Sequence, residues 1–284
     1  MKRIWILLVL ITIISCNQNK EKENTTTKTD DTKNEVIPVE SDGGIGDGAV
    51  PITDYYIQSI EKAHKKQEFL KHNAVSFDAK ILFGGKEHLE GKITMLTNST
   101  KIRIDKKDGS QLIYDGEKVF LHPEDANDKG TRFDMFTWTY FFGMPYKLSD
   151  PGTQWELQQD RDLDKKSYNT AKLTFEAGTG DAPDDWYVIY TEPNTKVLTA
   201  SAYIVSFGSG GDTAKAEEDP HAIYYKDFTT VSGIPFATKW DFYGWTSEKG
   251  ITDKLGEAMI TNITFIDDEG VIFQVPEKSK EIKL

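Results

Sequence analysis

Turns, more than any helical period, constrain what this chain can fold into. From residue 75 to 122, short alternating runs (75–81, 91–96, 100–105, 111–114 and 118–122) are separated by Gly84-Gly85, Asp108-Gly109 and Asp115-Gly116. An Asp-Gly step between alternating runs is a strong hairpin signal, because glycine readily takes the positive φ that a tight turn needs. The pattern returns at 155–159, 167–175, 185–191, 197–207, 221–229, 239–245 and 258–266. Turn residues fall at Glu192-Pro193-Asn194, 208–211, 233–235 and 267–270. This spacing predicts a mostly antiparallel β meander.

Two segments break the pattern. Tyr56, Ile60, Ala63, Gln67 and Leu70 recur at three- and four-residue spacing, with Glu61, Lys62, Lys65, Lys66 and Glu68 between them. That periodicity predicts an amphipathic helix over 53–71, with Thr53 and Asp54 as capping residues. In the middle, Phe133, Met135, Phe136, Trp138, Tyr140, Phe141, Phe142, Met144 and Tyr146 crowd together before Ser149-Asp150-Pro151-Gly152. They show no period of two, so 131–142 reads as a short helix or a compact apolar loop. A large twisted sheet needs its concave face covered, and these two segments are the available covers. A half-open barrel filled in this way can retain an apolar cavity.

The N-terminus carries Lys2 and Arg3 ahead of an apolar run over residues 4–14, ended by Ser15 and the chain's single cysteine, Cys16. The run is about half of the ~20 residues that span a bilayer, which fits a signal peptide over 1–15. Ser15-Cys16 resembles a bacterial lipobox, which implies diacylglyceryl modification of Cys16 and cleavage before it. The alternative is an ordinary secretory peptide with an incidental cysteine. Losing Lys2 and Arg3 leaves 32 basic against 46 acidic residues, a net charge of −14. Such a body does not bind nucleic acid through phosphate neutralisation, and anionic headgroups repel it. Membrane association would therefore rest on the lipid. Residues 16–50 read as a disordered tether, since 17–31 hold no aliphatic or aromatic residue and 41–48 are mostly Gly, Ser and Asp. Its reach is about 30 Å r.m.s.. Residues 51–284 are one domain's worth of chain.

Several hairpins resemble the LolA/LolB-like superfamily of lipoprotein carriers and lipid-binding periplasmic proteins. The segment 112–123 is similar to that family's strand–Asp-Gly–strand, and 190–195 to its turn before an outward strand. Val231-Ser232-Gly233-Ile234-Pro235 resembles the start of a late strand, and 263–276, ending Phe273-Gln274-Val275-Pro276, its closing strand. Segments 141–152 and 178–187 resemble a group of uncharacterised lipoproteins of outer-membrane-bearing bacteria that is usually placed beside LolA. The family's lid-controlling arginine has no clean counterpart here; Arg103 lies on a nearby strand, but its neighbours do not match. The resemblance implies a mainly β, antiparallel, unclosed half-barrel of about eleven strands, with an N-terminal helix and a central aromatic helical insertion. It further implies a hydrophobic, lipid-like ligand and an outer-membrane-anchored location, on the periplasmic or the surface face. By strand alternation, Phe77, Ile93, Ile102, Phe120 and Tyr203 would line the cavity, joined by Phe136, Phe141 and Met144 from the insertion.

Other chemistries find little footing in the sequence. Glu176, Asp181, Asp184 and Asp185 form an acidic turn without the spacing of an EF-hand loop. His64, His72, His88, His122 and His221 are scattered without a zinc-binding pair. The glycine-rich 207–211 lacks both a nucleophile elbow and a phosphate-loop lysine. Trp138, Trp155, Trp186, Trp240 and Trp245 could offer a glycan platform or simply pack. No catalytic residue, metal ligand or cofactor is assigned. The expected function is a non-enzymatic, lipid-anchored envelope protein binding an acyl chain, lipid or lipoprotein anchor. The alternatives are a structural or adhesive lipoprotein with a filled barrel, or a hydrolase using two carboxylates.

Overall fold

A computed structural model describes residues 50–267 and 271–283. The expected signal peptide, Cys16 and all of the tether before residue 50 lie outside the described residues. Residues 49–284 form a compact unit of their own.

The unit opens with α1 (Ile52–Ala63) and α2 (Lys66–Phe69), followed by β1 (Ala74–Phe83), β2 (Lys86–Leu96), β3 (Ile102–Lys106), β4 (Gln111–Tyr114) and β5 (Val119–His122). Next comes α3 (Thr131–Gly143), prolonged by a 3-10 turn over Met144–Tyr146. Strands β6 (Thr153–Leu163), β7 (Lys166–Phe175), β8 (Tyr187–Thr191) and β9 (Leu198–Tyr203) lead to a short α4 (Thr213–Ala216). Finally come β10 (His221–Val231), β11 (Ile234–Thr246), β12 (Gly250–Ile266) and β13 (Lys280–Ile282).

All thirteen strands belong to one sheet, ordered β13-β5-β4-β3-β2-β1-β12-β11-β10-β9-β8-β7-β6. The chain starts at the centre with β1 and steps outward to β5. It then crosses through α3 to the opposite edge and walks back to β12, which pairs antiparallel with β1. The two Asp-Gly hairpins form as the sequence predicts, with Gly109 at φ 90° and Gly116 at φ 113° joining β3–β4 and β4–β5. Each of the twelve predicted runs contains a strand, but 100–105, 118–122 and 185–191 begin one or two residues early, and 197–207 runs past the end of β9 at Tyr203 into a 3-10 turn over Phe207–Ser209. The thirteenth, β13, is only three residues long and extends the edge beyond β5.

Three expectations need correction. The helix over 53–71 is two helices, because Lys65 adopts φ 60° between them. A left-handed residue costs about 1 kcal/mol. The resulting bend brings Phe69 into full burial, stacked on Tyr146 at 3.8 Å, which offsets that by about 2 kcal/mol. The buried stripe is accordingly Ile57, Ile60, Glu61, His64 and Phe69, while Leu70 is exposed. Glu61 ties α1 to the segment after α3 by accepting from Lys66 Nζ (2.8 Å) and the Ser149 amide (2.8 Å). The position before the helix is Pro51, without a side-chain cap, so neither Thr53 nor Asp54 serves as one. Lastly, Phe273-Gln274-Val275-Pro276 lies outside any strand, since β12 ends at Ile266 and β13 sits at the far edge. Arg103 on β3 donates to the Ile272 carbonyl (3.1 Å) and pairs with Asp105 (2.8 Å).

One core cluster gathers the inward residues of the sheet, α1, α2 and α3. A smaller cluster on the other face of β7–β10 centres on Trp245, which sits with Ala200, Ala202, Ala222 and Val188 and donates to the Tyr190 hydroxyl (2.9 Å). Trp240 and Phe242, by contrast, share the inward face. The five tryptophans of the described residues are thus divided between two cores.

Candidate functional site

The aromatic segment is a helix because its residues are apolar on almost every side, the pattern of a buried helix. One side packs on the sheet: Phe142 stacks on Phe77 (3.9 Å), and Trp138 meets Phe242 edge-on (5.9 Å). One charged group, the carboxylate of Asp134, is buried with that side. It accepts from His88 (2.9 Å), Lys106 (2.8 Å) and the Trp138 indole (3.0 Å). Burial would raise its pKa, but the bonds from His88 and Lys106 outweigh burial and hold the carboxyl below its usual range. Asp134 therefore fastens the first turns of α3 to β2 and β3.

The opposite side of α3 is only half-buried, and here Arg132, Phe133, Phe136, Thr137 and Tyr140 line a cavity of about 570 Å³. That volume lies within the range typical of ligand pockets, roughly 300–1,000 Å³. α3 is the floor. Ile102 on β3 and Tyr114 on β4 make one wall, and Phe175, Tyr187 and Tyr203 of β7, β8 and β9 make the other. At the rim, Arg132 binds Asp181 through Nε and Nη2 (2.8–3.1 Å) and lies over the Phe207 ring (4.7 Å). Lys147 pairs with Asp150 (2.6 Å). Asp185 accepts from the Ser206 amide (2.7 Å), and burial keeps its pKa above the usual value despite that bond.

Of the eight residues expected at the cavity, Ile102, Phe136, Phe141 and Tyr203 line it. Phe77, Ile93 and Met144 point inward but are sealed in the core beneath or beside α3. Phe120 is a correction: Val119 and Leu121 face the core, and Phe120 projects from the other face of β5, opposite Ile113. Sequence reasoning missed Tyr140 and Tyr187 as lining residues. Tyr140 was within reach, because Arg132, Phe136 and Tyr140 are spaced by four and share a helix face.

The acidic turn divides its members: Asp181 holds Arg132, and Asp185 holds a backbone amide. Among the described residues, no three His, Cys, Asp or Glu side chains gather as a metal site. His64 is buried, its Nε2 accepting from the Leu198 amide (2.9 Å), and desolvation holds its pKa down to about 4.

Residues 128–252 match a family of unknown function, DUF6503. No curated protein sequence matches the chain. Among solved structures, a LolA superfamily protein from Nitrosomonas europaea aligns at a TM-score of 0.51 and 10% identity, over 77% of this chain and 97% of that one. A DUF1329 family protein from Desulfovibrio piger aligns at 0.49 and 11%, over 76% and 96%. With its unclosed antiparallel sheet and a helix laid across the concave face, the body of this chain is similar in fold to the LolA superfamily.

Proposed function

We propose that the protein is a non-enzymatic, lipid-anchored envelope protein that holds an acyl chain, a lipid or a lipoprotein anchor between α3 and the walls of the half-barrel. The observation that carries this reading is the cavity itself. A sheet this well supplied with aromatic side chains leaves about 570 Å³ open beside a helix face of Phe133, Phe136 and Tyr140. Burying a methylene contributes about 0.8 kcal/mol, so ten methylenes contribute about 8 kcal/mol, enough for micromolar binding before ordering costs. The carboxylates at the rim are already engaged by Arg132, Lys147 and a backbone amide, which favours passive holding over hydrolysis.

The experiment is native mass spectrometry of residues 49–284 purified from a bacterial host. A bound mass of lipid or fatty-acid size is expected, and Thr137→Trp, which fills the cavity from α3, should remove it. A bare mass that stays bare after incubation with phospholipid and acylated peptide overturns the reading. For the anchor, Cys16→Ala should move the full chain from the membrane to the soluble fraction. Retention in the membrane would count against lipidation at that residue.

A further inference from the structure

The cavity is not uniformly apolar, and a group of tyrosines stands among its polar residues. Tyr140, Tyr187 and Tyr203 come together from α3, β8 and β9, with ring centroids 5.3 Å apart for the first pair and 6.2 Å for the second. Tyr187 and Tyr203 are only 9% and 7% exposed. Among the described residues, no group hydrogen-bonds to any of these three hydroxyls, although all three residues line the cavity. Neighbouring tyrosines differ: Tyr225 donates to the Phe141 carbonyl (2.9 Å), and Tyr190 accepts from Trp245. Each hydroxyl opens onto the cavity with its donor unused by the protein, so a ligand that supplies an acceptor gains a hydrogen bond there without breaking one within the protein. Burial also pushes all three phenols above their ordinary pKa, so they remain donors across the physiological range.

The charges nearby limit what the ligand can be. Both cations lining the cavity, Arg132 and Lys147, are already paired with Asp181 and Asp150, and Asp185 adds a further acid. A free carboxylate placed among them would meet three acidic side chains and no unpaired cation. From this juxtaposition we infer that Tyr140, Tyr187 and Tyr203 form a subsite for the uncharged carbonyl of an acyl ester or amide, so that the cavity prefers esterified or amide-linked acyl chains to free fatty acids. This inference rests on the lipid-binding reading and specifies the ligand within it.

Competition by native mass spectrometry on residues 49–284 separates the two. The probes are 1-palmitoylglycerol, N-palmitoylethanolamine, 1-O-hexadecylglycerol (the ether without the carbonyl) and palmitate. The ester and the amide should bind at least ten-fold tighter than the ether and palmitate, the size of one hydrogen bond at about 1.4 kcal/mol. Tyr187→Phe and Tyr203→Phe should each reduce that advantage and leave the ether's affinity unchanged. Equal binding of ester and ether, preference for palmitate, or an undiminished preference in both variants overturns the subsite while the lipid reading stands. Failure of all four probes to bind defeats both.

Discussion

His64 shows how a single buried side chain sets a pH response. Its ring nitrogen must stay unprotonated to accept from Leu198, and Tyr146 and Phe228 surround it with aromatic rings at 6.5 Å and 6.3 Å. Folded, it titrates near 4; unfolded, near 6.5. Between these values the unfolded chain binds the extra proton, so stability falls as pH drops through that window and is flat above it. The full loss is about 3 kcal/mol. His64→Gln, which can still accept from the amide, should lose about 2 kcal/mol less than the parent between pH 7 and 4.5 in urea unfolding. Matching pH slopes for the two proteins would refute this. Phe120 shows what residue-level reading could not reach. Val119, Phe120 and Leu121 form a continuous apolar run, so alternation gives no indication of which face is inward. A one-residue choice of register decides it.

At the scale of elements, the strands were legible because Asp-Gly turns and alternation state the pairing locally. The helix break at Lys65 was not, since Ala63 to Gln67 contains only residues that a helix accepts, and the bend answers to Phe69 and Tyr146 far apart in sequence. Nor could the sequence say that α3 has two apolar faces with different roles, one against the sheet and one toward the cavity. Periodicity reports burial, not what lies on the other side. The attachment of α3 is testable at Asp134. Asp134→Ala removes three hydrogen bonds, and because Lys106 and His88 are partly exposed and can rehydrate, the expected cost is about 2 kcal/mol by urea unfolding. Faster amide exchange along the first turns of α3 should accompany it. A change below ~0.5 kcal/mol would mean that apolar packing alone holds the helix.

At the scale of the whole molecule, the sheet runs from β13 to β6 without pairing those two edges to each other. A closed barrel has a bore fixed by strand number and stagger, and its hydrogen bonds resist any widening. Here the separation of the two walls is set by what lies between them, namely α3 and whatever shares its trough. Spreading Ile102 and Tyr114 from Tyr187 and Tyr203 breaks no backbone hydrogen bond between the walls and requires only a slight change in the curl of a continuous sheet. Such a clasp is tolerant of girth. For the acyl ligand proposed above, it would admit chains of different length or branching without a fixed size limit, and discrimination between head groups would rest on the polar residues that line the cavity.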